Sequence, residues 1–206
     1  MAIGIDLDEV VFPCVEYFCK FLNKKHNINF KYKEVLTYNL SENAPYKIKG
    51  IQATKEQSIE DFYEFIETPE FKAIQPYPDA IEAISELRKL DFIVGITSRQ
   101  NELQEHTRWQ LNHFSPNLFS AIYFGNAYSK DKSKPQISKR ELCKDHYVSL
   151  LLEDNARYAL DVSQDIPVIL FRRPWNTWLE RADDIYPVAN WQEAVITAQK
   201  IYKKAA

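Results

Sequence analysis

Two aspartates stand at the end of a short apolar run near the start of the chain. The run from Ala2 to Ile5 is followed at once by Asp6 and Asp8, with one leucine between them. A buried strand that presents two carboxylates is unfavourable by itself, because like charges repel and each carboxylate loses its hydration. A bound divalent metal would offset both costs. The pair therefore predicts a metal site and a reaction that needs a carboxylate.

Polar side chains also stand at the ends of two later apolar runs. They are Thr97, Ser98 and Arg99 after one run, and Glu153, Asp154 and Asn155 after the other. Ligands of open parallel sheets bind outside the carboxyl ends of the strands, so all of these side chains are expected at one place. Lys139 begins a helical stretch just before the second run and can reach that place from the side. Taken singly, each residue could be a helix cap or a solvated side chain; their coincidence predicts a functional site.

The strands that would position these residues are five short segments rich in branched or aromatic apolar residues. They are Ala2 to Leu7, Phe92 to Thr97, Ala121 to Phe124, Val148 to Glu153 and Pro167 to Arg172. Helical patterns alternate with them at Asp79 to Leu90, Asn101 to His113, Lys139 to His146, Ala156 to Ser163 and Asn190 to Ile201. Strands that alternate with helices predict an α/β fold with a doubly wound parallel sheet covered on both faces.

The interval between the first strand and Pro78 breaks this alternation. It carries helical patterns at Val15 to His26 and Thr54 to Glu67, with Thr54 and Gln57 spaced as a capping box. We predict a small, mostly helical cap subdomain over residues 13–76, inserted after the first strand. Residues 1–12 and 77–206 would then form the catalytic core.

Composition narrows the class of protein. The chain has 206 residues, enough for one domain with a modest insertion, and its net charge of −3 gives no basic surface for a nucleic acid polymer or a membrane. Its three cysteines have neither disulfide nor metal-ligand spacing, which suits a reducing compartment. We find no secretory segment before Ile3 and no apolar stretch long enough to span a membrane, so we predict a cytoplasmic protein.

In their order along the chain, these residues resemble the four motifs of the haloacid dehalogenase superfamily. Asp6-Leu7-Asp8-Glu9-Val10 resembles the first motif, Asp-x-Asp-x-Thr/Val, and Ile96-Thr97-Ser98 resembles the second. Lys139 resembles the third motif and Glu153-Asp154-Asn155 the acidic fourth. The resemblance covers the core from end to end. It implies a Rossmann-like core with five main strands and a cap that selects the substrate.

The resemblance also implies an activity, that of a phosphomonoesterase that needs Mg²⁺ and forms an aspartyl-phosphate intermediate. Asp6 would be the nucleophile, and Asp8 would be the general acid and then the general base. Asp6 and Asp154 through their side chains, and Asp8 through its backbone carbonyl, would hold Mg²⁺, which prefers hard oxygen ligands. Glu153 or Asn155 would orient those ligands.

Two further residues would bind the phosphoryl group. Thr97 would donate a hydrogen bond to one of its oxygens, and Lys139 would offset its negative charge. Lys132 and Lys134 lie upstream in the same basic stretch and remain alternatives to Lys139.

Within the superfamily, the chain resembles the 5'(3')-deoxyribonucleotidase group. The resemblance is carried by Thr97-Ser98-Arg99, by the stretch from Arg172 to Asn176 and by the small helical cap; Glu9 departs from it, because that group usually has Gly there. It implies that the substrate is a small phosphorylated metabolite, and first of all a nucleotide. Phe12 and Tyr17 are then the candidates for stacking on a nucleobase, and Ser98 and Arg99 for contacts to an anionic substrate.

Three alternatives stay open beside the nucleotidase. The first is the same mechanism acting on a sugar phosphate or a similar metabolite. The second is a metal-binding module without turnover, which has no need for the whole set of motif residues. The third is a response-regulator receiver, which would need an aspartate after the third strand, where Phe124-Gly125-Asn126 supplies none.

Overall fold

A computed structural model of the chain describes residues 1–37, 42, 55–127, 129–131, 133–180 and 182–205. Two positions named above, the N-cap Thr54 and the alternative lysine Lys132, lie outside the described residues. The fold is an α/β fold built around one parallel sheet, as the sequence predicts.

The described part of the chain forms a six-stranded sheet in the order β3-β2-β1-β4-β5-β6. The strands are β1 (Ala2–Ile5), β2 (Phe92–Thr97), β3 (Ala121–Phe124), β4 (Val148–Glu153), β5 (Val168–Phe171) and β6 (Ile185–Val188). All neighbours pair in parallel. The chain first builds outward from β1 to β3 and then returns to β4, so the strand order reverses beside β1. A ligand of such a sheet binds outside the strand ends at this reversal.

The sixth strand was not predicted from the sequence. β6 contains Pro187, which has no N–H to donate to a sheet ladder, and a proline normally argues against a strand. The structure reconciles the two, because β6 lies at the edge of the sheet and pairs with one neighbour alone, with Pro187 opposite Leu170.

Helices cover both faces of the sheet. They are α1 (Cys14–His26), α2 (Lys55–Ile66), α3 (Pro69–Lys72), α4 (Ala80–Leu87), α5 (Gln104–Phe114), α6 (Lys139–Asp145), α7 (Ala156–Val162) and α8 (Trp191–Ala205). One apolar layer joins the sheet to α4, α5 and α8, and a second joins the opposite face to α6 and α7. No helix in these ranges is long and apolar enough to cross a membrane.

The secondary-structure elements described between β1 and β2 are helices, as predicted. Phe18 of α1 and Phe65 of α2 pack together with ring centroids 5.3 Å apart, and Phe65 also contacts Phe71 of α3. These rings are buried in the same apolar layer as Ile5 of β1. The helices of the interval are thereby anchored beside the strand end that carries Asp6 and Asp8. The limits of a separate cap at residues 13–76 stay a prediction.

Candidate active site

The loop after β1 is a tight turn that fixes the direction of its side chains. Asp6 still pairs with the sheet through its N–H, which donates to the carbonyl of Leu152 at 3.0 Å. The chain then turns, and the N–H groups of Val11 and Phe12 both donate to the carbonyl of Leu7 at 2.8 Å. The linker that returns from the helical interval is attached to the same turn, because the N–H of Tyr77 donates to the carbonyl of Val11 at 2.9 Å.

Three buried carboxylates meet at the carboxyl ends of β1 and β4. One oxygen each of Asp6, Glu153 and Asp154 lies within 4.8 Å of the others. Two ligands on opposite sides of a Mg²⁺ ion are about 4.2 Å apart, since each metal–oxygen bond is near 2.1 Å. The spacing and the hard oxygen donors therefore fit a Mg²⁺ ion.

Burial dominates the electrostatics of this cluster. It raises the pKa of Asp6 to about 7, against the opposing charge of Lys139, and it raises the pKa of Asp154 well above its ordinary value. Carboxylates in such a place favour a cation, because a cation stabilises their ionised form. The arrangement therefore favours a bound cation beside Asp6 and Asp154.

Lys139 supplies one cation directly. Its side chain is 2% exposed, and its Nζ lies 2.8 Å from Oδ1 of Asp6 and 2.6 Å from Oε2 of Glu153. Burial alone would lower the pKa of Lys139, but the two carboxylates raise it above its usual value, so the ammonium stays charged. Lys134 is elsewhere: its side chain is 58% exposed and lies 4.0 Å from Asp131. Of these two lysines, the structure brings Lys139 to the acidic cluster.

A glycine and a helix cap determine where Lys139 begins its helix. A Cβ on Gly125 would lie 2.9 Å from the carbonyl oxygen of Ile137, so the segment before α6 can pass this close because residue 125 has no side chain. The N–H of Ile137 donates to the carbonyl of Gly125 at 2.9 Å. Ser138 then caps α6 through a capping box with Glu141. Lys139 is the first residue of α6 and points to the sheet edge.

Hydrogen bonds to both carboxylate oxygens fix the side chain of Glu153 in the cluster. Its Oε1 accepts the N–H groups of Asp154 at 3.1 Å and Asn155 at 2.8 Å, while Oε2 accepts from Lys139. Asn155 uses its own side chain to cap α7, accepting the N–H of Arg157 at 2.9 Å. Both residues lie where an orienting role needs them, and that role stays a prediction.

Thr97 ends β2, the strand next to β1, and its side chain is fully buried. Its Oγ1 accepts the N–H of Arg99 at 3.2 Å, which leaves the hydroxyl proton available to a phosphoryl oxygen. Ser98 follows at the strand end and is partly exposed, and its contact to a substrate stays a prediction.

Arg99 has different partners from those expected. Its guanidinium is buried and binds both carboxylate oxygens of Asp8, with Nη2 at 2.7 Å from Oδ1 and Nε at 3.0 Å from Oδ2. Its Nη1 donates to Thr107 and Gln110 of α5, each at 2.9 Å. These contacts occupy the guanidinium inside the protein. Arg99 therefore holds Asp8 in place, and its expected contact to an anionic substrate stays a prediction.

We therefore expect Arg99→Lys to lower kcat, on the order of 10²-fold, while KM stays near its wild-type value. A lysine cannot reproduce the fork that holds Asp8, Thr107 and Gln110 together. Steady-state kinetics on a phosphomonoester would test this, with Arg157→Lys on the exposed side of α7 as the matched control. A rise in KM with unchanged kcat would instead favour the direct substrate contact expected from the sequence.

The two aromatic candidates differ in their surroundings. Phe12 is fully buried and packs edge-on against Phe114, with the guanidinium of Arg99 5.6 Å from its ring centre. Its ring belongs to the core and does not line an open pocket, contrary to the expectation from the sequence. Tyr17 of α1 is partly exposed, with the ammonium of Lys20 4.7 Å from its ring centre, and it remains a candidate for a substrate contact.

Glu9, which departs from the nucleotidase motif, has contacts that the sequence pattern does not indicate. Its φ of 64° lies in the left-handed region that favours glycine, yet its side chain has several partners that hold it there. The carboxylate accepts the N–H of Val15 at the start of α1 and the hydroxyls of Tyr32 and Tyr77, at 3.1 and 3.3 Å. Burial raises the pKa of Glu9 to about 7. Glu9 thus connects the turn after β1 to both ends of the helical interval.

The fold is a doubly wound parallel sheet, and Asp6, the buried Lys139 and the acidic cluster lie at its carboxyl edge. This combination is typical of a class of Rossmann-like hydrolases. Residues 5–149 match the haloacid dehalogenase-like hydrolase family, and the chain belongs to that family. No curated protein matches the sequence.

Solved structures with the same fold cover nearly the whole chain. A predicted phosphatase from Clostridium acetobutylicum superposes with a TM-score of 0.68 at 13% identity, over 97% of this chain and 98% of that one. A predicted phosphoglycolate phosphatase from Haemophilus somnus gives 0.62 at 16% identity, over 96% and 97%. The L-2-haloacid dehalogenase from Xanthobacter autotrophicus gives 0.63 at 11% identity, over 96% and 98%. At these identities the likeness shows the shared fold.

Proposed function

We propose that this chain is a Mg²⁺-dependent phosphomonoesterase that works through an aspartyl-phosphate. The observation that carries the proposal is the buried contact of Lys139 with Asp6 and Glu153, beside Asp154. A dianionic phosphate ester needs cationic partners before an anionic nucleophile can approach it. This site combines a nucleophile-type carboxylate with one fixed cation and the ligands for a second.

In the first step, one oxygen of Asp6 bonds to phosphorus while the bond from phosphorus to the ester oxygen breaks. Asp8 gives its proton to the leaving alcohol oxygen. In the second step, water attacks the phosphoryl group, Asp8 takes a proton from that water, and the bond to Asp6 breaks to release phosphate. Thr97 donates to a phosphoryl oxygen, and the ammonium of Lys139 stabilises the charge that the equatorial oxygens carry.

Asp6 and Asp154 through their carboxylates, and Asp8 through its backbone carbonyl, would hold Mg²⁺, which when bound neutralises charge on the phosphoryl group. Asp8 also distinguishes a phosphatase from a dehalogenase. A halide leaves without a proton, whereas an alkoxide needs one. The presence of an acidic side chain at position 8 therefore supports phosphate-ester hydrolysis.

For the substrate we propose nucleoside monophosphates first, on the motif resemblance and on the partly exposed Tyr17. Small organic phosphates such as sugar phosphates are the second candidate class. Two of the features that carry the nucleotidase resemblance have internal partners, since Arg99 binds Asp8 and Trp175 binds Asp154. The choice between the two classes therefore depends on a direct comparison of substrates.

A panel of phosphomonoesters with Mg²⁺ makes that comparison. It includes deoxynucleoside 5'- and 3'-monophosphates, sugar phosphates and phosphoglycolate, each measured as kcat/KM with and without a chelator. We expect nucleotides to be preferred more than about tenfold, which corresponds to roughly 1.4 kcal/mol of transition-state discrimination. A sugar phosphate preferred by the same margin would select the second class. Turnover of phosphate esters that is indifferent to the chelator would contradict the metal-dependent mechanism.

A further inference from the structure

Trp175 touches the acidic cluster through its indole N–H. It lies in a short 3-10 turn, Pro174–Asn176, that follows β5, and its side chain is buried. Its Nε1 donates to Oδ2 of Asp154 at 2.8 Å. Among the described residues, Trp175 is the one side chain that donates a hydrogen bond to the carboxylate of Asp154. A buried tryptophan usually finds a partner for its N–H, but the partner here is a candidate metal ligand.

We propose that Trp175 is a positioning residue for cation binding: its N–H fixes Oδ2 of Asp154 and leaves Oδ1 as the oxygen that binds the metal. This proposal rests on the Mg²⁺ site of the proposed function. A carboxylate held at one oxygen binds a metal through the other, which suits the near-octahedral geometry that Mg²⁺ demands. Partners that orient a metal ligand in this way contribute strongly to metal affinity.

The turn that carries Trp175 is attached to the residue it orients. Nδ2 of Asn176 donates to the carbonyl oxygens of Asp154 and Phe171, both at 2.7 Å. The guanidinium of Arg172 donates to the carbonyl of Leu179 at 2.6 Å, which joins the two ends of the segment that contains Trp175. Trp175 and Asp154 are therefore fixed to the same backbone frame, so the indole N–H has little freedom to lose when the cation binds.

The ring of Trp175 is held by the helical interval on its other side. It packs with Cys19, Phe30 and Val35 in a small apolar cluster, and Tyr32 contacts it edge-on at 5.6 Å between ring centroids. Packing and hydrogen bonding are thus separable. Trp175→Phe keeps an aromatic ring in this cluster and removes the N–H, so it tests the hydrogen bond itself.

Isothermal titration of Mg²⁺ into the full chain without substrate tests the proposal. We expect Trp175→Phe to raise the dissociation constant for Mg²⁺ at least about tenfold relative to wild type. Trp109→Phe is the matched control, since Trp109 is 49% exposed on α5, and it should bind as wild type does. In kinetics, Trp175→Phe should need more Mg²⁺ for half-maximal rate while KM for the ester at saturating Mg²⁺ stays unchanged.

The outcomes separate this inference from the proposed function. A wild-type protein that binds no Mg²⁺ overturns the metal site itself, whereas equal affinity of wild type and Trp175→Phe overturns the role of Trp175 alone. A second measurement needs no variant of Trp175. In the wild-type protein labelled with ¹⁵N-tryptophan, the indole N–H resonance of Trp175 should move on Mg²⁺ addition more than those of Trp109, Trp178 and Trp191. A resonance that stays still at saturation contradicts the proposal.

Discussion

Asp6→Asn is expected to abolish phosphomonoester turnover while leaving the fold intact. The amide of asparagine has the shape of the carboxylate but is a very poor nucleophile, so the aspartyl-phosphate cannot form. We expect kcat to fall on the order of 10⁴-fold or more, as for other enzymes that lose their nucleophile. Stability should change little, because burial disfavours the charged form of Asp6, whose pKa is raised to about 7, and because Lys139 keeps Glu153 as its buried partner.

Two measurements check this expectation. Steady-state rates give the loss of kcat, and mass spectrometry of protein quenched during turnover should find a phosphorylated form in wild type and none in Asp6→Asn. The matched control is Asp79→Asn, which makes the same substitution at an exposed site and should leave both readouts unchanged. Full activity of Asp6→Asn would remove Asp6 from the role of nucleophile and with it the proposed mechanism.

Four of the first five strands could be predicted from the sequence because they are largely buried, and the edge strand β3, which is partly exposed throughout, could be predicted because it has the same apolar composition. A strand of that kind is a continuous apolar run, and the structure places β2, β3 and β4 at the predicted residues. β6 was not predicted because it contains Pro187, which an edge strand tolerates and a central strand would not. The cluster of acids also followed from the sequence, because parallel strands bring their carboxyl ends to one edge.

The partners of the site residues could not be predicted in the same way. Arg99 and Asp8 are 91 positions apart, and Glu9 and Tyr77 are 68 apart, so no local pattern connects them. A left-handed glutamate is unfavourable by local rules, and what stabilises Glu9 is a set of donors that meet in the folded chain alone. Local rules fail here at residues beside the site, which is where folded proteins most often break them.

Lys139→Met is expected to damage both stability and catalysis. Methionine fills a similar volume, but its loss of charge leaves Asp6 and Glu153 buried without their shared cation. Breaking a buried ion pair by removing one partner costs about 3–5 kcal/mol of unfolding free energy. The site also loses the fixed charge that would face the phosphoryl group, so we expect kcat to fall on the order of 10²- to 10³-fold.

Urea unfolding and steady-state kinetics measure the two effects. Lys134→Met is the matched control, because that lysine is largely exposed and lies 4.0 Å from its acidic neighbour. Surface ion pairs of this kind contribute little to stability. If Lys134→Met lowered kcat and Lys139→Met did not, the assignment of the phosphate-binding lysine would move to Lys134.

The double variant Lys139→Met/Glu153→Gln separates the structural role of Lys139 from its chemical role. The amide oxygen introduced by Glu153→Gln would still accept the N–H groups of Asp154 and Asn155, while the substitution removes one of the two stranded charges. We expect the double variant to unfold at higher urea than Lys139→Met, because an unpaired buried carboxylate is the main cost. Its kcat should stay low, since the substitution at Glu153 does not restore the ammonium that Lys139 places beside Asp6. Recovery of turnover in the double variant would mean that Lys139 only neutralises Glu153, and the charge that stabilises the phosphoryl group would have to come from elsewhere in the site.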